Sequence, residues 1–292
     1  MQRPRIEFCP VDRRNKRSVW LRRYARNVTS QAGEDGIIEK IFEVIGEGSR
    51  FCVDFGGSDG KTNSNTYNLI ANRGWSGVLI EPSIRFEKLA RLYGDHSKVH
   101  LIKDMVGFDE HNKLDAHLSR CPFSVPVNPD FVSIDIDGCD IYVWEDIKLF
   151  RPRVVCIEFN GTVALDVYLL QPQDFSVNVG SSLLATQRHA SQMGYELIAT
   201  TRGNAFFVLQ PLYEKFRIRD NSVQAMHFLG QMETKIAHGY DGALYLAGLD
   251  HNPWRGYKID EERIQILPSN LRQWKFNGRA FPRSAKDLKK AP

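Results

Sequence analysis

Two rhythms of apolar residues alternate along the chain. After Ser30, Ile37, Ile38, Ile41, Phe42 and Ile45 recur at the spacing of one helix face, with Ser30 placed to cap the helix, Glu34 and Asp35 near its first turn and Gly46 and Gly48 ending it. A continuous apolar run, Phe51 to Phe55, then meets Gly56-Gly57-Ser58-Asp59-Gly60, which reads as a strand entering a glycine turn. The alternation repeats. Helices are predicted over 66–72, 84–93, 114–118, 143–149 and 181–193, and strands over 77–80, 99–102, 131–136 and 153–157. Strands over 195–200 and 205–209 flank Thr201-Arg-Gly-Asn204, a hairpin turn. Repeated β/α alternation closed by a hairpin predicts an α/β fold, a mostly parallel sheet with helices on both faces and one antiparallel strand.

Beyond Pro211 the pattern weakens to two or three short strands and a polar, basic end. The predicted organisation is a basic arm over 1–29, an α/β domain over 30–210 and an extension over 211–292 that forms a cap or an oligomer contact. Of 292 residues, 42% are hydrophobic and 25% charged, which excludes a disordered or collagen-like chain. No apolar run approaches the ~18–20 residues of a membrane span. The basic start lacks the apolar segment of a secretory signal, so the expected compartment is the cytoplasm. Five cysteines without CxxC spacing argue against a disulfide framework or a zinc site and for buried thiols. Residues 1–27 carry nine Arg/Lys against Glu7 and Asp12. Such an arm suits nucleic acid, acidic lipid or an acidic partner, or is simply a solvated terminus, and its aromatic content is thin, with Phe8, Trp20 and Tyr24.

Ligands of parallel sheets bind at the carboxyl ends of the strands. Here those ends read Asp54, Glu81, Asp104, Asp135, Asp137, Glu158 and Asn160. The turn after the first strand is D-x-G-x-x-x-G, not the G-x-G-x-x-G that cradles a pyrophosphate. A carboxylate beside it repels phosphate and suits a cationic group. Glu81, at the next strand end, has the chemistry to accept both hydroxyls of a ribose. The pair points to an adenosine carrying an ammonium or sulfonium.

In that combination the chain resembles class I S-adenosylmethionine-dependent methyltransferases, specifically the FkbM-like branch. The resemblance rests on Ser30-Gln-Ala-Gly-Glu-Asp35, Val53-Asp-Phe-Gly-Gly-Ser-Asp-Gly60, Asn65-Thr-Tyr-Asn68, Gly77-Val-Leu-Ile-Glu-Pro82, Leu114-Asp115, Ser133-Ile-Asp-Ile-Asp-Gly138 and Val155-Cys-Ile-Glu-Phe-Asn160, and covers roughly residues 30–210. It implies a Rossmann-like seven-stranded sheet with S-adenosylmethionine as cofactor. Asp54, Gly56 and Gly60 would line the methionine part, with Gly57, Ser58, Asn65 and Asp135 also among the cofactor-binding residues. Glu81 would hold the ribose, with Pro82 and Ser83 beside the adenine and Lys103 and Asp104 in the adenine-contacting loop. Gln31 and Glu34 would close over the cofactor, plain helix capping being the alternative.

Asp135, Asp137, Glu158 and Asn160 form a second constellation. Alternate positions share one strand face, and an oxygen-rich cluster suits Mg²⁺ or another divalent cation. Some catechol and sugar O-methyltransferases resemble this in using an Asp plus an Asp/Asn arrangement to bind a metal and the substrate hydroxyl. Glu-x-Asn departs from their adjacent acid and amide. Metal ligation, a general base that grips substrate, and structural hydrogen bonding all stay open, with Asp137, Glu158 and Asn160 as the catalytic candidates. The segment 161–180, with Tyr168 and Phe175, reads as a substrate-side loop, and His189 as a surface helix residue. The expected function is methyl transfer to a hydroxyl of a sugar or small metabolite. An N-methyltransferase and a non-catalytic cofactor-binding scaffold are the alternatives, and the missing Asn/Asp-Pro-Pro-Tyr motif weighs against nucleic acid.

Overall fold

The computed structural model describes residues 4–273 and the backbone of two short strands, Lys275–Phe276 and Arg279–Ala280. It divides into two compact units, residues 13–229 and residues 1–12 with 230–292.

In the larger unit the alternation becomes α1 (Glu34–Ile45), β1 (Phe51–Phe55), β2 (Ser76–Ile80), α2 (Phe86–Tyr93), β3 (Val99–Ile102), α3 (Leu114–Ser119), β4 (Phe131–Ile134), α4 (Asp140–Glu145), β5 (Val154–Glu158), α5 (Leu183–Gln192), β6 (Tyr195–Thr200) and β7 (Asn204–Leu209). The seven strands form one sheet in the order β3-β2-β1-β4-β5-β7-β6. β1 to β5 run parallel, and β7 pairs antiparallel with both β5 and β6. This is the Rossmann-like methyltransferase sheet that the resemblance implied. The chain leaves β1 outward to β3 and returns to β4 on the other side, so the switch point, where such sheets open a crevice, lies between β1 and β4.

Both faces of the sheet are covered, so the central strands are buried at nearly every position. Phe42 of α1 packs edge-on against Trp75 and Phe131, and Trp144 of α4 against Tyr195. At the amino ends of the strands, the fully buried Asp130 accepts the N–H groups of Gly48 and Arg50 and pairs with Arg153 at 2.5 Å.

Five expectations change. Residues 68–72 form a wide π-type turn in place of a regular helix. β4 ends at Ile134, two residues early, and α4 starts at Asp140 in place of residue 143. Residues 13–29 of the expected arm belong to the larger unit: Leu21 is fully buried and Trp20 donates to the Phe216 carbonyl at 3.0 Å. Residues 211–229 belong to it too, with Phe216, Val223 and Met226 in its core. The smaller unit contains an antiparallel hairpin, β8 (Thr234–His238) with β9 (Leu244–Gly248). No described helix is long and apolar enough to cross a membrane.

Candidate active site

β1 delivers Asp54 into the crevice, and the glycine turn follows at once. Asp54 is 3% exposed, accepts the Thr66 hydroxyl at 2.6 Å, and is pushed up to about 6 by burial, with the charge of Glu81 acting in the same direction. Gly56 has φ +86°, and a Cβ there would lie 1.6 Å from the Asp135 carbonyl oxygen. The turn after β1 and the loop after β4 therefore touch backbone to backbone, and only glycine permits it.

That second loop is folded by a residue the sequence reading overlooked. The buried Asp140 accepts the N–H groups of Ile136 at 2.9 Å and Gly138 at 2.8 Å, which peels the chain off the sheet and puts Asp137 in the left-handed region at φ +59°. Alternate positions on a strand thus do not explain the pairing of Asp135 with Asp137, because both lie beyond the strand. The loop still brings them together with Glu158, with one carboxylate oxygen of each within 4.8 Å of the others. Burial raises both Asp135 and Glu158, and the neighbouring carboxylates raise them further. The two are hydrogen-bonded to each other, so the pair keeps a proton well above the usual carboxylate range. None of Asp54, Asp135, Asp137 and Glu158 has a basic partner among the described residues.

These groups line a cavity of about 530 Å³. Gln31, Asp54, Gly56, Gly57, Ser58, Asn65, Asp135, Asp137 and Glu158 of the expected set reach it. Asn65 is braced by the Ser133 hydroxyl at 3.2 Å. The cavity also takes in Asp59, Thr62, Arg85 and Lys88. Arg85 and Lys88 belong to the start of α2, and their helical surroundings gave no sign of a cavity.

The remaining expected residues lie outside that lining. Gly60 is a packing glycine, since a Cβ there would meet Leu89 at 2.4 Å. Glu81 is buried and accepts the N–H groups of Ser58 at 2.9 Å and Ser83 at 2.8 Å, so it clamps the glycine turn to β2. Pro82 and Ser83 are exposed beside it. Lys103 pairs with Glu87 at 2.9 Å, and Asp104 accepts its neighbour's N–H, that of Met105. Glu34 does not close over the cavity: its carboxylate accepts from the Ala32 N–H and the Thr201 hydroxyl, each at 2.6 Å. Ser30 is not the N-cap of α1, which is Gly33, but its hydroxyl accepts the Asp35 N–H and the Asp35 carboxylate accepts that of Ser30, fastening the turn before the helix. Asn160 does not line that cavity. Its amide accepts from Thr162 and donates to the Val179 carbonyl at 2.8 Å, holding the two ends of the 161–180 segment.

An unpaired set of carboxylates in a cavity of this size, well within the ~300–1,000 Å³ of small-molecule sites, fits a cationic ligand such as a sulfonium or a divalent ion. No protein-family model and no curated protein matches the sequence. Among solved structures, a SAM-dependent methyltransferase from Aquifex aeolicus is similar at 11% identity over 58% of this chain and 87% of that one, with TM-score 0.37. A putative RNA methyltransferase from Pyrococcus horikoshii is similar at 9% identity over 61% and 83%, with TM-score 0.36. An O-methyltransferase family 2 protein from Planctomyces limnophilus, in complex with apigenin, is similar at 14% identity over 54% and 50%, with TM-score 0.37. The chain's own strand order gives a Rossmann-like, mostly parallel seven-stranded sheet, the fold that the resemblance implied.

Proposed function

We propose that this chain is an S-adenosylmethionine-dependent methyltransferase of the FkbM-like kind that methylates a hydroxyl of a sugar or other small cytoplasmic metabolite. The observation that supports it best is the convergence of Asp135, Asp137 and Glu158 on the cavity that opens beside Asp54 and the glycine turn. The bound cofactor supplies a methyl group on a positively charged sulfur. Asp54 and the Asp135–Glu158 pair favour that charge, and Gly56 and Gly57 leave room for close approach of the backbone. A hydroxyl seated against the pair loses its proton to a carboxylate whose affinity for protons is raised by burial, which suits it to act as a base near neutrality.

A second reading has the same three carboxylates holding Mg²⁺ or a similar ion, which would orient the hydroxyl and lower its pKa. Three oxygens within 4.8 Å support it, and the Asn160 side chain, the fourth expected ligand, is engaged instead by Thr162 and the Val179 carbonyl.

Calorimetric titration of the full chain with S-adenosylhomocysteine, in Mg²⁺ and then in EDTA, tests both. Micromolar binding in both conditions supports the metal-free reading, and binding only with Mg²⁺ supports the second. No binding in either removes the methyltransferase proposal. Product analysis with hydroxylated and amine acceptors then separates O- from N-methylation.

A further inference from the structure

Away from the cavity, three side chains from three elements form a hydrogen-bonded chain. Glu145 closes α4, His189 lies on α5, and Tyr168 belongs to the 161–180 segment. His189 Nδ1 bonds Glu145 Oε1, and His189 Nε2 lies 2.8 Å from the Tyr168 hydroxyl. A carboxylate can only accept, so Nδ1 carries the proton and Nε2 of the neutral ring is left as the acceptor of the phenol O–H. The Arg188 guanidinium sits 5.4 Å from the centre of the Tyr168 ring. Two further titratable groups lie beside them: Tyr142 of α4, whose hydroxyl is engaged by the Gln171 carbonyl at 2.7 Å, and Lys148, whose ammonium donates to the Glu145 carbonyl oxygen.

A nucleophile bonded to an imidazole, itself oriented by a carboxylate, is the arrangement that activates hydroxyls in covalent catalysis. We propose that Tyr168 is an activated phenol that accepts an acyl group from an activated ester. In the step, Tyr168 Oη attacks the acyl carbon and the bond from that carbon to the leaving-group oxygen breaks. The phenol proton passes to His189 Nε2, Glu145 stabilises the imidazolium, and the proton then leaves with the departing alcohol. The products are O-acyl-Tyr168 and that alcohol. None of the three side chains lines the methyltransferase cavity, so this activity stands apart from the one proposed above.

The test is to react the full chain with p-nitrophenyl acetate at neutral pH and follow acetylated tyrosines by peptide mass mapping. Tyr257 serves as the internal reference, because it is 74% exposed against 44% for Tyr168. Exposure alone would label Tyr257 first. The expected result is labelling of Tyr168 about tenfold faster or more. His189→Gln should bring Tyr168 down to the Tyr257 rate, and Glu145→Gln should do so in part. Tyr168→Phe should abolish that adduct and leave the Tyr257 adduct unchanged. Thermal melts identify any variant that fails to fold, and the Glu145 variant then carries the comparison. Labelling of Tyr168 no faster than Tyr257, or labelling indifferent to both His189→Gln and Glu145→Gln, would overturn the proposal and leave the chain as a mere fastening of the segment.

Discussion

Gly56 and Glu158 bear opposite kinds of responsibility. Gly56 has no chemistry, yet its missing side chain lets two loops meet. Gly56→Ala would set a methyl group against the Asp135 carbonyl at a φ that alanine resists, so we expect a loss of about 3 kcal/mol or more, read as a lowered denaturation midpoint. Glu158 is the reverse case. Removing a buried carboxyl that shares a proton with Asp135 relieves crowding, so Glu158→Gln should keep or raise the melting temperature and retain S-adenosylhomocysteine binding. If it is the base, turnover should fall by roughly 10²–10⁴. Turnover within a factor of a few of the parent would assign the proton transfer elsewhere.

At the scale of elements, the strands were legible because burial on both faces turns them into apolar runs such as Phe51–Val53 and Val154–Ile157. The loop after β4 was not. Its alternation of apolar and acidic residues continues to Ile136, but the Asp140 side chain takes the backbone N–H groups that the sheet would have used. The candidate carboxylates were found for a reason that is only half right: they cluster by loop geometry and not by strand periodicity. Asn160 looked like a fourth member through spacing alone, and its bonds across the 161–180 segment join residues distant in sequence that no local pattern reveals. That segment has a second fastening in Gln171, a buried amide whose oxygen accepts the N–H groups of Val179 and Gly180, each at 2.8 Å. Gln171→Ala would leave both donors without that partner, at a cost of about 2 kcal/mol. Limited proteolysis should then cut within 161–180 faster than in the parent, with cleavage elsewhere unchanged.

For the molecule as a whole, the cavity carboxylates set a dependence of stability on pH. Asp54 is raised from 3.8 to about 6 in the folded protein, and Asp135 and Glu158 are raised in the same direction. The folded state therefore holds protons that the unfolded chain has released, and stability falls as pH rises from about 4 through the folded values. The contribution of Asp54 alone is about 3 kcal/mol, complete above pH 6. Buried His227, pushed down to about 4, acts in the opposite direction between about pH 4 and 6.5, so denaturant melts should give a midpoint that declines between about pH 6.5 and pH 8. A bound cation should flatten the decline, releasing protons as it binds. A midpoint that rises across this range would mean that the carboxylates are compensated by a positive charge.

The carboxylate of Glu34 joins two places 167 residues apart, the turn that starts α1 and the hairpin between β6 and β7. Gln31, on the rim of the cavity, immediately precedes that turn. A fluctuation that frees the turn must also release Thr201, whose N–H donates to the Asn204 carbonyl and whose hydroxyl accepts the Asn204 N–H across the hairpin turn. In native-state hydrogen exchange the amides of Ala32 and Asn204 should therefore open as one cooperative unit with a common free energy, and Thr201→Val should unlink them. Breathing at the mouth of the site would then be timed by the far edge of the sheet.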